Sequence, residues 1–248
     1  QAVFLAAGRA ALLQEAHPFV AWAIEHHSLT RDDPRGRFER TFRNVYAMVF
    51  GDLEHALGCA RQVFEVHARI HGVIPEDCGV FEAGTPYRAL DASSTFWVHA
   101  TLIDSALRVH EQVHGALSAA QREQYYQESK RFSYLFGLED AQMPGDWQDF
   151  QRYFAAMVDS STLHVGPLAH RMLDFLMLPP SPRLAGVMRW YRVVTAAQMP
   201  ERLRRDYRLP WGAREKLLYH TTLPAVCGLL RGLPPQLRYA RPYLRAHR

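Results

Sequence analysis

Turned at about 100° per residue, the chain gathers its apolar side chains onto one face of segment after segment, with Pro or Gly between the segments. This pattern predicts helices over about 2–15, 18–28, 36–50, 52–71, 93–114, 118–136, 146–160, 166–177, 183–198, 199–207, 212–231 and 235–246. No stretch reads as a sheet, so the expected fold class is all-α, a single large multi-helix domain. Ser118 with Gln121 three residues on suits a capping box, and Pro18 suits a first helical turn. The longest irregular segment, Val73 to Asp91, is rich in Gly, Pro and acids and is expected to be a lid or a connector.

Three of these segments place polar residues where apolar ones belong. Over 52–71 the stripe of Leu53, Ala56, Leu57, Ala60, Val63, Phe64 and Ile70 has His67 at its centre. Over 93–114 the stripe of Phe96, Leu102, Ile103, Ala106 and Val113 also contains His99 and His110. Over 36–50, Phe38, Phe42, Val45 and Met48 share a face with Arg37 and Thr41, with Arg40 on its flank. Burying His and Arg costs free energy unless something pairs with them, so a bound cofactor is the economical reading. A haem uses both residue types.

Composition narrows the classes. With 248 residues and 48% hydrophobic content, the chain can bury a sizeable core and is not expected to be disordered. No window approaches the length of uncharged apolar sequence that a membrane span needs, and no signal-peptide pattern opens the chain. Gln1 is not a start methionine, which leaves room for a trimmed upstream segment. Cys59, Cys78 and Cys227 stand alone, without the spacing of a disulfide framework or a structural zinc site, and a reducing cytoplasm is the default expectation.

Charge is unevenly distributed. From Arg183 to Arg248 there are 14 Lys and Arg against 3 Asp and Glu, whereas the first 182 residues carry 15 against 22. Lys130 and Lys216 are the only lysines, so the positive charge is nearly all guanidinium, suited to carboxylates, phosphates or anionic headgroups. The prolines Pro179, Pro180 and Pro182 coincide with the change of sign. The expected organisation is a helical core over 1–178 and a basic helical C-terminal region over 183–248 packed on the same domain. No recognised nucleic-acid motif accompanies the basic region, so no nucleic acid is expected as a partner, and peripheral contact with a membrane surface stays open.

Several sequence words occur in a specific order: GRAALLQEAHPFVAWAIEHHS, RFERT, Phe50–Gly51, VHARIHG, Tyr87 to Thr101 with WVHAT, LSAAQREQYYQE and, later, MPERLRRDYRLPW. From about Gly8 to Trp211 this succession resembles the catalytic domain of the MpaB and rubber oxygenase (latex clearing protein) family. The resemblance implies a globin-like helical core that binds haem b, and oxidative chemistry with dioxygen. The best-known relatives cleave carbon–carbon double bonds of isoprenoids.

The resemblance also assigns residues. His67 matches the family's proximal haem ligand, and a neutral imidazole on an apolar face is a suitable donor to buried iron. Arg37 and Thr41 match the Arg and Thr beside the haem, and His99 matches a further His of its surroundings, with Trp97 packing on the cofactor or in the core. Arg40 stands where the rubber oxygenases have a Lys that reaches the iron. A guanidinium does not deprotonate to become a ligand, so Arg40 is expected to bind a propionate or hydrogen-bond to oxygen. The acidic stretch CGVFEAG, Cys78 to Gly84, is a second departure.

The expected function is therefore a haem b-dependent oxygenase with an apolar, unsaturated substrate, small or polymeric. Two alternatives stay open. One is a non-catalytic haem- or lipid-binding helical protein; the other is a di-iron carboxylate oxidase, suggested by the Glu111–His114 pair with Asp52 and His55 as a weaker analogue. His71 is the rival to His67, one turn away on the same helix.

Overall fold

Helix 2–15 of the sequence pattern is the pivot of the structure, because its apolar residues recur on more than one face. The computed structural model describes residues 2–27, 34–239 and 241–246, of which 34–40, 42, 242, 245 and 246 are described by their backbone alone. In chain order it contains α1 (Phe4–Glu15), α2 (Pro18–His27), α3 (Pro34–Phe50), α4 (Leu53–Ala68), β1 (His71–Val73), β2 (Pro86–Arg88) and α5 (Ala92–His114). There follow α6 (Ala119–Tyr134), α7 (Trp147–Asp159), α8 (Pro167–Met177), α9 (Ala185–Gln198), α10 (Glu201–Asp206), α11 (Ala213–Gly232), α12 (Pro235–Arg238) and α13 (Arg241–Ala246). The fold is one all-α domain, as the periodicity indicates.

α1 packs against α5, α9, α8 and α2. Leu12, Leu13 and Ala16 disappear into the main core with Phe96 and Trp97 of α5, Tyr126 of α6 and Phe150 of α7. Gly8 makes the approach of α9 feasible, since a Cβ there would sit 2.5 Å from Thr195 Oγ1. The Tyr191 hydroxyl accepts from Gly8 N at 2.7 Å and donates to Phe4 O at 3.0 Å. Arg9 is fully buried between the same helices, donating to Gln198 O and Ser105 Oγ and pairing with Asp104. Burial lowers its pKa to about 10 against the opposing pull of Asp104, so it remains charged. The basic C-terminal region is thus joined to the N-terminal helix through α9.

Helix starts follow local chemistry. Asp52 caps α4 through His55 N at 2.8 Å, and Asp91 caps α5 through Ser94 N at 2.9 Å. Ser118 and Gln121 form the expected capping box at the start of α6, and α2 begins at Pro18.

Three expectations are corrected. The chain does contain a small sheet, in which β1 pairs antiparallel with β2 in the register His71↔Arg88, Gly72↔Tyr87 and Val73↔Pro86. Its formation ends the helix predicted over 52–71 at Ala68, so His71 lies on a strand. The helix expected over 235–246 is broken at Tyr239 into α12 and α13, and α13 folds back onto α3, with Tyr243 edge-on to Phe50 at 5.6 Å. The Val73–Asp91 segment is a hairpin whose outer loop is pinched by a Cys78↔Phe81 bridge.

Candidate functional site

The VHARIHG word places a histidine at the end of a helix and a glycine in the strand that follows. His67 occupies the last turn of α4, where its carbonyl accepts from Ile70 N at 3.0 Å as the chain turns into β1. Gly72 lies against Tyr87, and a Cβ at that position would come within 2.7 Å of the Tyr87 hydroxyl. That hydroxyl is held by His26 Nδ1 at 2.9 Å, while His27 Nε2 lies 3.2 Å from His71 O, so both histidines of α2 tie it to the hairpin. At its other end the hairpin leads into α5, with Ala89 N donating to Ile70 O at 3.0 Å and Thr95 Oγ1 to Ala89 O at 3.1 Å. The end of α4 and the start of α5 are thereby fixed beside each other.

This connection brings His67 and His99 together. Both imidazoles pack on the Phe136 ring, at 6.0 Å for His67 and 4.8 Å for His99, and Phe132 lies 5.1 Å from His99. His99 is buried, with Nδ1 2.9 Å from Ser133 Oγ. Burial pushes its pKa down to about 3, and a charge on His67 would lower it further. Burial also lowers the pKa of the half-buried His67. Both rings are therefore neutral at pH 7, the form that donates a nitrogen lone pair to a metal.

The rest of the α4 stripe is not covered as expected. Ala56 and Ala60 are buried, but Leu53 is 74% exposed, Leu57 47% and Phe64 43%. Phe64 faces the turn after α6, since a Cβ at Gly137 would lie 3.7 Å from its Cε2. Leu57, two turns earlier on the same face of α4, has no such lid among the described residues. The close packing partner of α4 is α3, and no comparable packing joins α4 to α5 or α6. An apolar strip running away from two neutral histidines can accept a flat apolar group.

Other candidate residues fall in different places. The link between α3 and α4 is Gly51 and Asp52, so the helices form an antiparallel hairpin, and counting back along it sets the backbone of Arg37 and Arg40 level with the last turns of α4. The side chains of Arg37 and Arg40 lie outside the described residues. Thr41 is exposed on α3. Trp97 is not brought to the histidine pair. It is fully buried, its Nε1 donates to Leu13 O at 2.9 Å, and it packs on Phe154 at 5.3 Å. His110 is exposed, contrary to its place in the predicted stripe, and lies 4.9 Å from His114. Glu111 accepts from Arg122 Nε at 2.8 Å and Leu117 N at 3.1 Å, which commits it to joining α5 to α6. Asp52 is committed as a helix cap, and among the described residues no three His, Cys, Asp or Glu side chains converge as a metal cluster.

Sequence reasoning missed Ser133, Phe132 and Phe136. Their spacing on and after α6 carries no signal of its own, because Ser and Phe at such positions are ordinary core residues. Arg9 was missed as well, although its position inside an apolar helix is the same anomaly that singled out His67. His17 is a core residue: it is buried, its Nδ1 accepts from Phe19 N at 3.2 Å, and burial lowers its pKa to about 4.

Residues 1–228 match the family described as "ER-bound oxygenase mpaB/B'/Rubber oxygenase, catalytic domain". No curated protein and no solved structure matches the chain. Among the described residues, no helix is long and apolar enough to cross a membrane.

Proposed function

The chain belongs to the mpaB/rubber oxygenase catalytic-domain family, and on that premise we propose that it is a haem b-dependent oxygenase whose cofactor lies along α4 with His67 as the iron ligand. The observation that carries this reading is a neutral, half-buried imidazole at the end of an apolar stripe that the fold leaves uncovered. Haem iron, when bound, supplies activation of dioxygen for oxidation of an apolar, unsaturated substrate.

The chain's own residues then have separable tasks. His67 donates its nitrogen without first losing a proton, because burial keeps it neutral. Ser133 fixes the ring orientation of His99, which borders the same Phe136 surface. Phe64 and Leu57 give the cofactor face an apolar wall that excludes water. Arg37 and Arg40, carried by the helix beside α4, are the cations for propionates or for negative charge developing on oxygen, with Thr41 as a hydroxyl donor nearby. Trp97 contributes indirectly, by holding the start of α5 against α1.

The test is a UV–visible spectrum of protein expressed with a haem supply, compared with His67→Ala and His71→Ala. We expect a Soret band at near-stoichiometric haem that collapses in His67→Ala and persists in His71→Ala. Loss in both variants, or in neither, sinks the assignment of His67. Stable haem without turnover of any isoprenoid alkene under dioxygen and reductant would favour a non-catalytic haem-binding protein.

A further inference from the structure

Among the described residues the outer face of α11 has no partner, and it has no use in the proposed site. Its inner face is committed. Leu223 and Cys227 are buried in a cluster with Val109 and Val113 of α5 and Val194 of α9, and Trp190 Nε1 donates to Thr222 Oγ1 at 2.7 Å. Turned at about 100° per residue, the opposite side presents Leu217, Thr221, Pro224, Ala225 and Gly228, with Leu218 and Leu229 along one edge. Leu217 and Leu229 are each 67% exposed, and Val187, one turn before Trp190 on α9, is exposed too. Among the described residues nothing packs over this face.

Its polar chemistry is as informative as its leucines. Between Lys216 and Arg231 lie fourteen residues with no Asp, Glu, Lys or Arg. The Thr221 hydroxyl is satisfied within the helix, donating to Leu217 O at 2.8 Å, and Thr222 does the same to Leu218 O at 2.6 Å. Both threonine hydroxyls are thus satisfied within the helix and ask nothing of water, which suits an apolar medium. Exposed Arg214 and Lys216 frame one end and exposed Arg231 the other, while the only acid of α11, Glu215, is turned to cap Gly212 N at 2.8 Å. An apolar strip with basic ends has the pattern of a helix that lies in the plane of a lipid interface, its leucines in the acyl region and its cations among anionic headgroups. A second copy of the chain would bring like charges together at both ends.

We propose that the outer face of α11 docks this domain onto an anionic lipid surface. The proposal is independent of haem. The test is co-sedimentation of the full chain with vesicles of phosphatidylcholine alone or mixed with phosphatidylglycerol, at low and high salt. Binding is expected only to vesicles containing phosphatidylglycerol and is expected to be released by salt. Leu217→Glu with Leu229→Glu should weaken it more than about tenfold, and Arg214→Gln, Lys216→Gln and Arg231→Gln by about fivefold each. These positions are exposed, so unchanged far-UV circular dichroism serves as the folding control. Absence of binding at low salt overturns the proposal. So does equal binding to neutral vesicles, or a leucine double variant that binds vesicles normally while converting a dimer to a monomer.

Discussion

α1 and α4 are both helices with an apolar stripe interrupted by one basic residue, yet the fold treats them in opposite ways. In α1, Ala6, Leu12 and Leu13 are buried and Arg9 is surrounded by Ser105, Asp104 and Gln198. In α4 only Ala56 and Ala60 are buried, and His67 meets a phenylalanine ring. The basic residue of α1 is satisfied by the protein itself, whereas that of α4 is desolvated without a hydrogen-bonding partner among the described residues. Apolar surface that folding does not bury and a neutral donor that folding does not use are the two features on which the proposed cofactor site rests.

The contrast is most exposed to attack through stability. Trp97→Ala removes a fully buried ring and a hydrogen bond to α1, and should cost about 3–5 kcal/mol. Arg9→Ala removes the buried bonds to Gln198 O and Ser105 Oγ and leaves Asp104 to its second partner Arg108, and should cost about 1–3 kcal/mol. His67→Ala in haem-free protein should stay within about 0.5 kcal/mol of the parent. Urea unfolding of the three variants decides the matter. If His67→Ala is as damaging as Trp97→Ala, α4 is a structural helix after all.

Acid provides the next largest effect. His17 and His99 have pKa values lowered to about 4 and about 3 from an ordinary 6.5, so below pH 6.5 the unfolded chain takes up protons that the folded chain refuses. Stability therefore falls as pH drops through the window from 6.5 toward 4 for His17 and toward 3 for His99. At pH 5 each should have cost about 2 kcal/mol. Urea midpoints measured across this window should decline steeply in the parent and less steeply in His99→Gln. An identical slope in the variant would mean that His99 is not a buried neutral group.

The sequence carried the architecture further than the site. Helix periodicity located nearly all the helices because most of them bury a face against α1 or its neighbours, and the Asp and Ser caps sharpened their starts. It failed at His71, where a three-residue strand is too short to impose its own period, and at Tyr239, where the break shows only in how α13 meets α3. At the site, the turn rule put His67 and His99 on apolar faces, but it could not show that they share Phe136. That neighbour comes from the turn after α6, more than thirty residues beyond His99 in the chain, and pairing across such a distance is a property of packing. Trp97 is the converse case: its place in the WVHAT word left cofactor and core both open, and its fully buried indole, held by Leu13, lies in the core.

A smaller effect tests how the hairpin sets His67. Gly72→Ala would press a methyl group against the Tyr87 ring, whose hydroxyl is tied to His26, leaving little room to yield. Overpacking of this kind costs about 1–3 kcal/mol. Because β1 follows directly from the last turn of α4, the variant should also weaken haem uptake by more than its loss of stability explains. A haem titration on protein that is still fully folded by circular dichroism separates the two, and unchanged uptake would detach the hairpin from the site.

The smallest expected change in stability is the sharpest test of the comparison. Leu57 on α4 and Leu12 on α1 are the same residue type on helices of the same domain, but one is 47% exposed and the other fully buried. Leu12→Ala should cost about 2–5 kcal/mol, whereas Leu57→Ala should stay within about 0.5 kcal/mol in haem-free protein. On adding haem the order should reverse in its consequence. Leu57→Ala then loses part of the apolar wall and should raise the haem dissociation constant several-fold, since about 1 kcal/mol of lost contact is worth roughly that factor. Stability gained on haem saturation, read as the shift in urea midpoint, should shrink in Leu57→Ala and not in an exposed control such as Leu217→Ala on α11. Equal shifts in both would mean that the cofactor does not lie along α4, and that the uncovered stripe serves some other apolar ligand.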